Sequence, residues 1–269
     1  MPIYKSSDVE PALEKLNHRG WKKAIFKQDL SASGRGQRRL DCVELAETDS
    51  RWLKSFFESA VSKRGEVVAV VEPRLDRVVD LSFLWHWQTG ETKPRFLGWT
   101  RPLVAPGRRF VGTRLTNPFS DCEQPLKQFL LADRNANLQS VEQWIEYHLT
   151  KELAARNFSG YFGVDALVCQ DKNQNLKIKP IVELNPRMTM GHVALDLKKR
   201  IAPGVKAEFR IMTRSEWDQF SDRINEYRLK KTRDGRWESG IVLLSDVQAQ
   251  SKLVPLVLVG ECLKWFEEM

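Results

Sequence analysis

Gly160–Gln170 (GYFGVDALVCQ), Asp171–Asn175 (DKNQN) and Leu176–Arg187 (LKIKPIVELNPR) are two apolar-rich runs around a polar cluster of turn residues. The pattern predicts a β-hairpin. A turn centred on Gln174 puts Asp165 opposite Glu183, and directly opposed residues of an antiparallel pair point to one face. Glu183 and Asn185, two apart, share that face, while Val182 and Leu184 point the other way. Opposed like charges destabilise a sheet unless something compensates them. A hard cation does so, and Mg²⁺ favours one or two carboxylates with substrate phosphate oxygens. Two readings of the hairpin stand at this point: a metal-binding face and a solvated acidic face.

The 269 residues suffice for one large domain or two lobes, and 42% hydrophobic with 29% charged residues is ordinary for a soluble globular chain. No run of twenty apolar residues occurs, and MPIYKSSDVE has no signal-peptide core. Cys42, Cys122, Cys169 and Cys262 are scattered without C-x-x-C spacing, which points to reduced cysteines and a cytoplasmic protein. A net charge of +8 favours anionic partners, and no block of like charges forms a nucleic-acid tail.

Along the chain, 8–16 reads as an amphipathic helix, 21–27 as a strand, SASGRG as a glycine-bearing loop and 37–45 as a second strand. No Gly-Lys-Ser/Thr follows the loop, so it is not a Walker A motif. It reads either as an anion cradle at a hairpin tip, with Lys27 adding a charge, or as an exposed basic hairpin. A helix over 52–61 precedes the apolar run 67–71, which closes in Glu72–Pro73. Asp80 and Ser82 alternate with Val79, Leu81 and Phe83 and so line one strand face. Two strands around a Pro106–Gly107 turn, helices over 126–132 and 141–156, then the hairpin follow. A helix over 190–200, a strand over 205–212, a helix over 216–229 and strands over 240–244 and 253–259 complete the chain.

In this order the signals resemble the ATP-grasp superfamily over roughly residues 22–200. The resemblance rests on FKQDLSASGRG, VVAVVEP, an acidic residue at Asp80, and GVDALV…IVELNPR. It implies an α+β fold of two lobes gripping ATP between antiparallel sheets. The implied lobes are a lid over 1–73 and a catalytic, metal-binding lobe over 74–212, with a C-terminal extension over 213–269.

The resemblance also implies roles. Lys27 contacts the α- or β-phosphate; Ser31, Ser33, Gly34, Arg35 and Gly36 belong to the loop over the phosphates; Glu72 lies at the adenine hinge and Asp80 at the ribose. Asp165, Glu183 and Asn185 ligate Mg²⁺, and Arg187 meets phosphate or an acyl phosphate. The implied activity is ATP- and Mg²⁺-dependent ligation of a small-molecule carboxylate to an amine or other nucleophile. Phosphoryl transfer of this kind is mostly positioning and charge neutralisation, which a basic cleft serves without nucleic acid. Members usually carry a further N-terminal domain, and only about twenty residues precede the first lid strand here. The sequence therefore also admits a fragment, a lobe supplied by a partner chain, or an ATP-binding regulatory or scaffold subunit. Trp85, Trp87, Trp99, Arg101, Arg109 and Arg114 are candidates for an acceptor wall.

Overall fold

The computed structural model describes residues 1–28, 36–64, 69–105, 110–131, 137–171 and 173–263. Ser31, Ser33, Gly34, Arg35, Pro106, Gly107 and Arg109 lie outside the described residues. The chain divides into two compact units, Met1–Asp76 and Arg77–Met269.

In the first unit, β1 (Pro2–Ile3), β2 (Lys23–Gln28), β3 (Gln37–Asp41) and β4 (Ala69–Pro73) form a sheet in the order β1-β4-β2-β3. Two helices accompany them, α1 (Val9–His18) and α2 (Glu47–Arg64). Val9, Ala12, Leu13 and Leu16 recur at helical spacing, and all four are buried. Gly20, at φ 80°, ends α1 in the left-handed conformation while its N–H returns to Asn17 O at 2.7 Å. The core centres on Phe26, whose ring meets Trp52, Phe56 and Phe57 edge-on at 5.1–6.1 Å. Strand β2 is apolar where it faces this cluster, and ends in Lys27 and Gln28 where it does not.

The second unit is built on a nine-stranded sheet. Its strands are β5 (Asp76–Trp87), β6 (Arg95–Val104), β7 (Phe110–Arg114), β8 (Gly160–Gln170), β9 (Leu176–Asn185), β10 (Ala207–Thr213), β11 (Lys230–Lys231), β12 (Trp237–Leu243) and β13 (Leu253–Val259). Their order is β11-β12-β13-β10-β7-β6-β5-β8-β9. The helices are α3 (Gln124–Leu131), α4 (Asn137–Ala154), α5 (Met190–Lys198) and α6 (Arg214–Phe220). Alternation decides the faces: Val79, Leu81, Phe83 and Trp85 of β5 join Phe162, Val164, Ala166 and Val168 of β8 in one core with Leu130 of α3 and Ile145 of α4. Phe209 of β10 packs with Ala194 and Leu197 of α5 in another. The residues after 213 continue this sheet, β13 pairing with β10 along its whole length. The helix expected over 216–229 is shorter, running Arg214–Phe220 and tightening into a 3₁₀ segment, Ser221–Glu226.

Across the sheet from β6 to β10 runs a row of charges. Arg101 pairs in register with Arg114, and Arg114 with Glu208. Glu208 is 2% exposed, so its charge needs cationic partners. Arg114 Nε stands 3.4 Å away and Arg210 Nε donates to it at 2.8 Å. All four cysteines are free. Among the described residues no helix is long and apolar enough to cross a membrane.

Candidate functional site

The hairpin β8–β9 sets the central geometry. Gly163 pairs with Asn185, Val164 with Leu184 and Asp165 with Glu183. Nearer the turn the register differs, with Leu167 opposite Lys179 and Gln170 opposite Leu176. A bulge therefore separates the two stretches, and it holds Pro180, which has no N–H to give to the ladder. The carboxylate pair lies beyond the bulge, on the side away from the turn.

Asp165 is the centre of the patch. Asn185, 7% exposed, donates from Nδ2 to Asp165 Oδ2 at 3.1 Å. The Asn185 Oδ1 accepts from Arg187 Nη2 at 3.0 Å, so this one amide orients both the carboxylate and the guanidinium. Pro186 makes the intervening turn, and the Arg187 N–H returns to Asn185 O at 2.8 Å. Burial pushes the Asp165 carboxyl up from 3.8 to about 6. A hydrogen bond from Ser82 opposes this; the charges of Glu183 and Asp80 add to it, and the Asn185 bond again opposes it. Asp80 thus acts on the same patch, where it also accepts from Arg77 Nε at 2.6 Å.

Helix α5 begins directly after this patch. The Thr189 N–H donates to His192 Nδ1 at 3.1 Å, which leaves the His192 proton on Nε2, facing Trp85 O at 3.3 Å. Burial holds His192 below its usual pKa and so neutral near pH 7. The helix approaches the sheet closely because Gly191 has no side chain: a Cβ there would stand 2.9 Å from Leu84 Cδ1 and 3.1 Å from Thr100 Oγ1.

In the first unit, Lys27 and Glu72 meet. Ile25 is the register partner of Glu72, so Lys27, two residues on, lies diagonal to it on the same face. Lys27 Nζ donates to Glu72 Oε2 at 2.8 Å, with the side chains 19% and 24% exposed. Gly36, at φ 77°, accepts from the Gln28 N–H at 3.1 Å and closes the β2–β3 ladder.

The second unit thus brings Asp80, Asp165, Glu183, Asn185 and Arg187 to one patch, and the first brings Lys27 to Glu72. Ser82 was missed as a site residue, although its spacing of two from Asp80 put it on the same strand face. Trp85 and Trp87 do not form an accessible wall, being 0% and 5% exposed in the core. Trp99 stacks on Phe119 at 5.2 Å, while Arg101 and Arg114 both pair with Asp121.

Among the described residues no group of three or more His, Cys, Asp or Glu side chains is disposed to hold a metal ion. The donor set at the hairpin is smaller: two carboxylates and an amide oxygen that keeps a second lone pair beside its bond to Arg187. Such a set fits Mg²⁺, which takes few protein ligands and completes its shell from phosphate and water.

No protein-family model matches the chain, and no curated protein matches it. Solved structures do. N5-carboxyaminoimidazole synthetase from Staphylococcus aureus, complexed with ADP, matches all of this chain with a TM-score of 0.53 at 15% identity. Biotin carboxylase from Campylobacter jejuni, in a β,γ-ATP complex, matches 94% of the chain with a TM-score of 0.54 at 14% identity. The biotin carboxylase domain of Hydrogenobacter thermophilus 2-oxoglutarate carboxylase, with MgADP, ADP and bicarbonate, matches 95% with a TM-score of 0.52 at 13% identity. The chain spans 64%, 56% and 56% of those three proteins. The antiparallel sheets and this likeness define the fold: the chain has the ATP-grasp fold.

Proposed function

We propose that this chain binds ATP with Mg²⁺ and activates a carboxylate as an acyl phosphate for attack by an amine or another nucleophile. The observation that carries the reading is the Asp165–Glu183 register pair, with Asn185 tying Asp165 to Arg187. Asp165 is mostly buried and Glu183 opposite it is exposed, and holding the two like charges together is costly unless a cation joins them. The nucleotides bound by the structural neighbours, with Mg²⁺ in one of them, support that choice of ligand.

In this reading Asp165, Glu183 and Asn185 Oδ1 would hold Mg²⁺, which would supply positive charge to phosphate oxygens. Arg187, fixed by Asn185, stands ready for the transferred phosphoryl group. Asp80 contributes charge to the same patch, and Lys27, held by Glu72, supplies a point charge for the α- or β-phosphate. The sequence resemblance assigns Ser31, Ser33, Gly34, Arg35 and Gly36 to the phosphates, where excluding water would protect an acyl phosphate; the first four lie outside the described residues. The lobe assignment of 1–73 as lid and 74–212 as catalytic belongs to this proposal.

The test is thermal unfolding with a non-hydrolysable ATP analogue, with and without Mg²⁺, for wild type and Glu183→Ala. Glu183 is exposed, so its truncation leaves the core intact. At a ligand concentration of about one hundred times Kd, stabilisation of about 2.7 kcal/mol is expected in wild type only with Mg²⁺. The same shift in Glu183→Ala sinks the metal role. Mg²⁺-dependent binding without ATP turnover under any acceptor screen supports a nucleotide-binding subunit instead.

A further inference from the structure

The sheet of the second unit has a gap beside β6. On one side, β6 pairs with β5 from Arg95 to Thr100. On the other it pairs with β7 only from Arg101 to Val104. Beyond Arg114 the chain leaves β6, and the Leu115 N–H donates to Ala207 O at 2.9 Å, next to β10. Among the described residues the stretch 96–100 therefore has a strand neighbour on one side only. A cavity of about 600 Å³ occupies the gap, closed by the C-terminal half of α5 and the segment 201–205. Its size is that of small-molecule pockets, which run on the order of 300–1,000 Å³.

The lining is chemically uneven. Phe96, Trp99, Leu115, Leu195 and Ile201 supply apolar surface. Lys198 stands at the rim, exposed and without an ion-pair partner among the described residues. No Asp or Glu lines the cavity, and none of Asp165, Glu183, Asn185 and Arg187 does.

We propose that this cavity is a second ligand site, separate from the carboxylate patch, that takes a small apolar acid. The ligand has an aromatic or aliphatic body against Phe96, Trp99 and Leu195 and one anionic end at Lys198. An anion complements the cation at the rim, and the absence of lining acids removes the repulsion that would reject it. The apolar body accounts for the rest of the lining. This assignment stands whether or not the nucleotide reading does.

The probe is 8-anilinonaphthalene-1-sulfonate, an apolar aromatic anion whose fluorescence rises in an apolar cavity. It is titrated into wild type, Lys198→Glu and Lys198→Arg, each shown to be folded by circular dichroism. Expected is one saturable site in wild type, weakened at least about tenfold by Lys198→Glu and kept by Lys198→Arg, which retains the cation. Mg²⁺ with the ATP analogue leaves the probe bound. Non-saturable binding, wild-type affinity in Lys198→Glu, the same loss in Lys198→Arg, or displacement by the nucleotide overturns the proposal.

Discussion

Asp165 and Glu183 stand directly opposite each other on β8 and β9, and the Asp165 carboxyl is raised to about 6, first by burial. Between pH 3.8 and about 6 the folded protein holds a proton on Asp165 that the unfolded chain has released. Stability from this group is therefore fully present below pH 3.8 and lost as pH rises through about 6. The loss amounts to at most about 3 kcal/mol. Asp165→Asn removes it, so urea unfolding at pH 4 and pH 7 should show a steeper fall in wild type than in the variant. Parallel pH profiles contradict the assignment.

Glu208 is the anionic partner of two arginines in the charge row. Glu208→Ala leaves Arg114 and Arg210 without that charge in a site where Glu208 was 2% exposed. A destabilisation of up to about 3 kcal/mol is expected, because two largely buried arginines stay behind and only Arg114 keeps the Asp121 carboxylate beside it in this row. Denaturant titration measures it, and a change under about 1 kcal/mol, the scale of a surface pair, would place the row on the solvated side.

Gly112 pairs with Arg210 where β7 meets β10. A Cβ there would stand 2.1 Å from Phe209 O, a backbone atom that cannot swing aside. Gly112→Ala is expected to cost about 3 kcal/mol and to speed exchange of the β7–β10 amides. Wild-type amide protection in the variant contradicts this strand contact.

The Lys27–Glu72 pair is the ionic contact on which the proposed nucleotide binding would act. Both side chains are less than a quarter exposed, and both make other interactions as well. A double-mutant cycle with Lys27→Met and Glu72→Gln should give a coupling of about 1 kcal/mol in the free protein. With Mg²⁺ and the ATP analogue the coupling should fall, since Lys27 then turns to phosphate. Thermal unfolding of the four proteins reads both numbers.

How far the sequence reaches is clearest at the hairpin. A turn centred on Gln174 leads to the Asp165–Glu183 pair that the structure contains. The ladder next to the turn nevertheless follows a different register, because β9 is bulged at Pro180. Alternation makes a strand face legible, and it put Asp80 and Ser82 on one face of β5. It cannot show which polar side chain on that face bonds the Asp165 carboxylate, so Ser82 was placed on the face without a role. The tryptophans fail for a related reason: Trp85 and Trp99 look alike in sequence, yet one lies in the core and the other lines a cavity. That cavity comes from a mismatch in strand length between β6 and β7, which no local pattern encodes.

The bulge in β9 works like a dislocation in a crystal, where two well-ordered blocks meet out of step and the misfit is confined to a line. Disorder of register on one side does not propagate to the other. The tip of the hairpin is consequently a place where the chain tolerates inserted residues, such as a short labelling tag after Asn173, while Asp165 and Glu183 stay in step. A single residue inserted between Pro180 and Glu183 turns Glu183 to the opposite face, because side chains alternate along a strand.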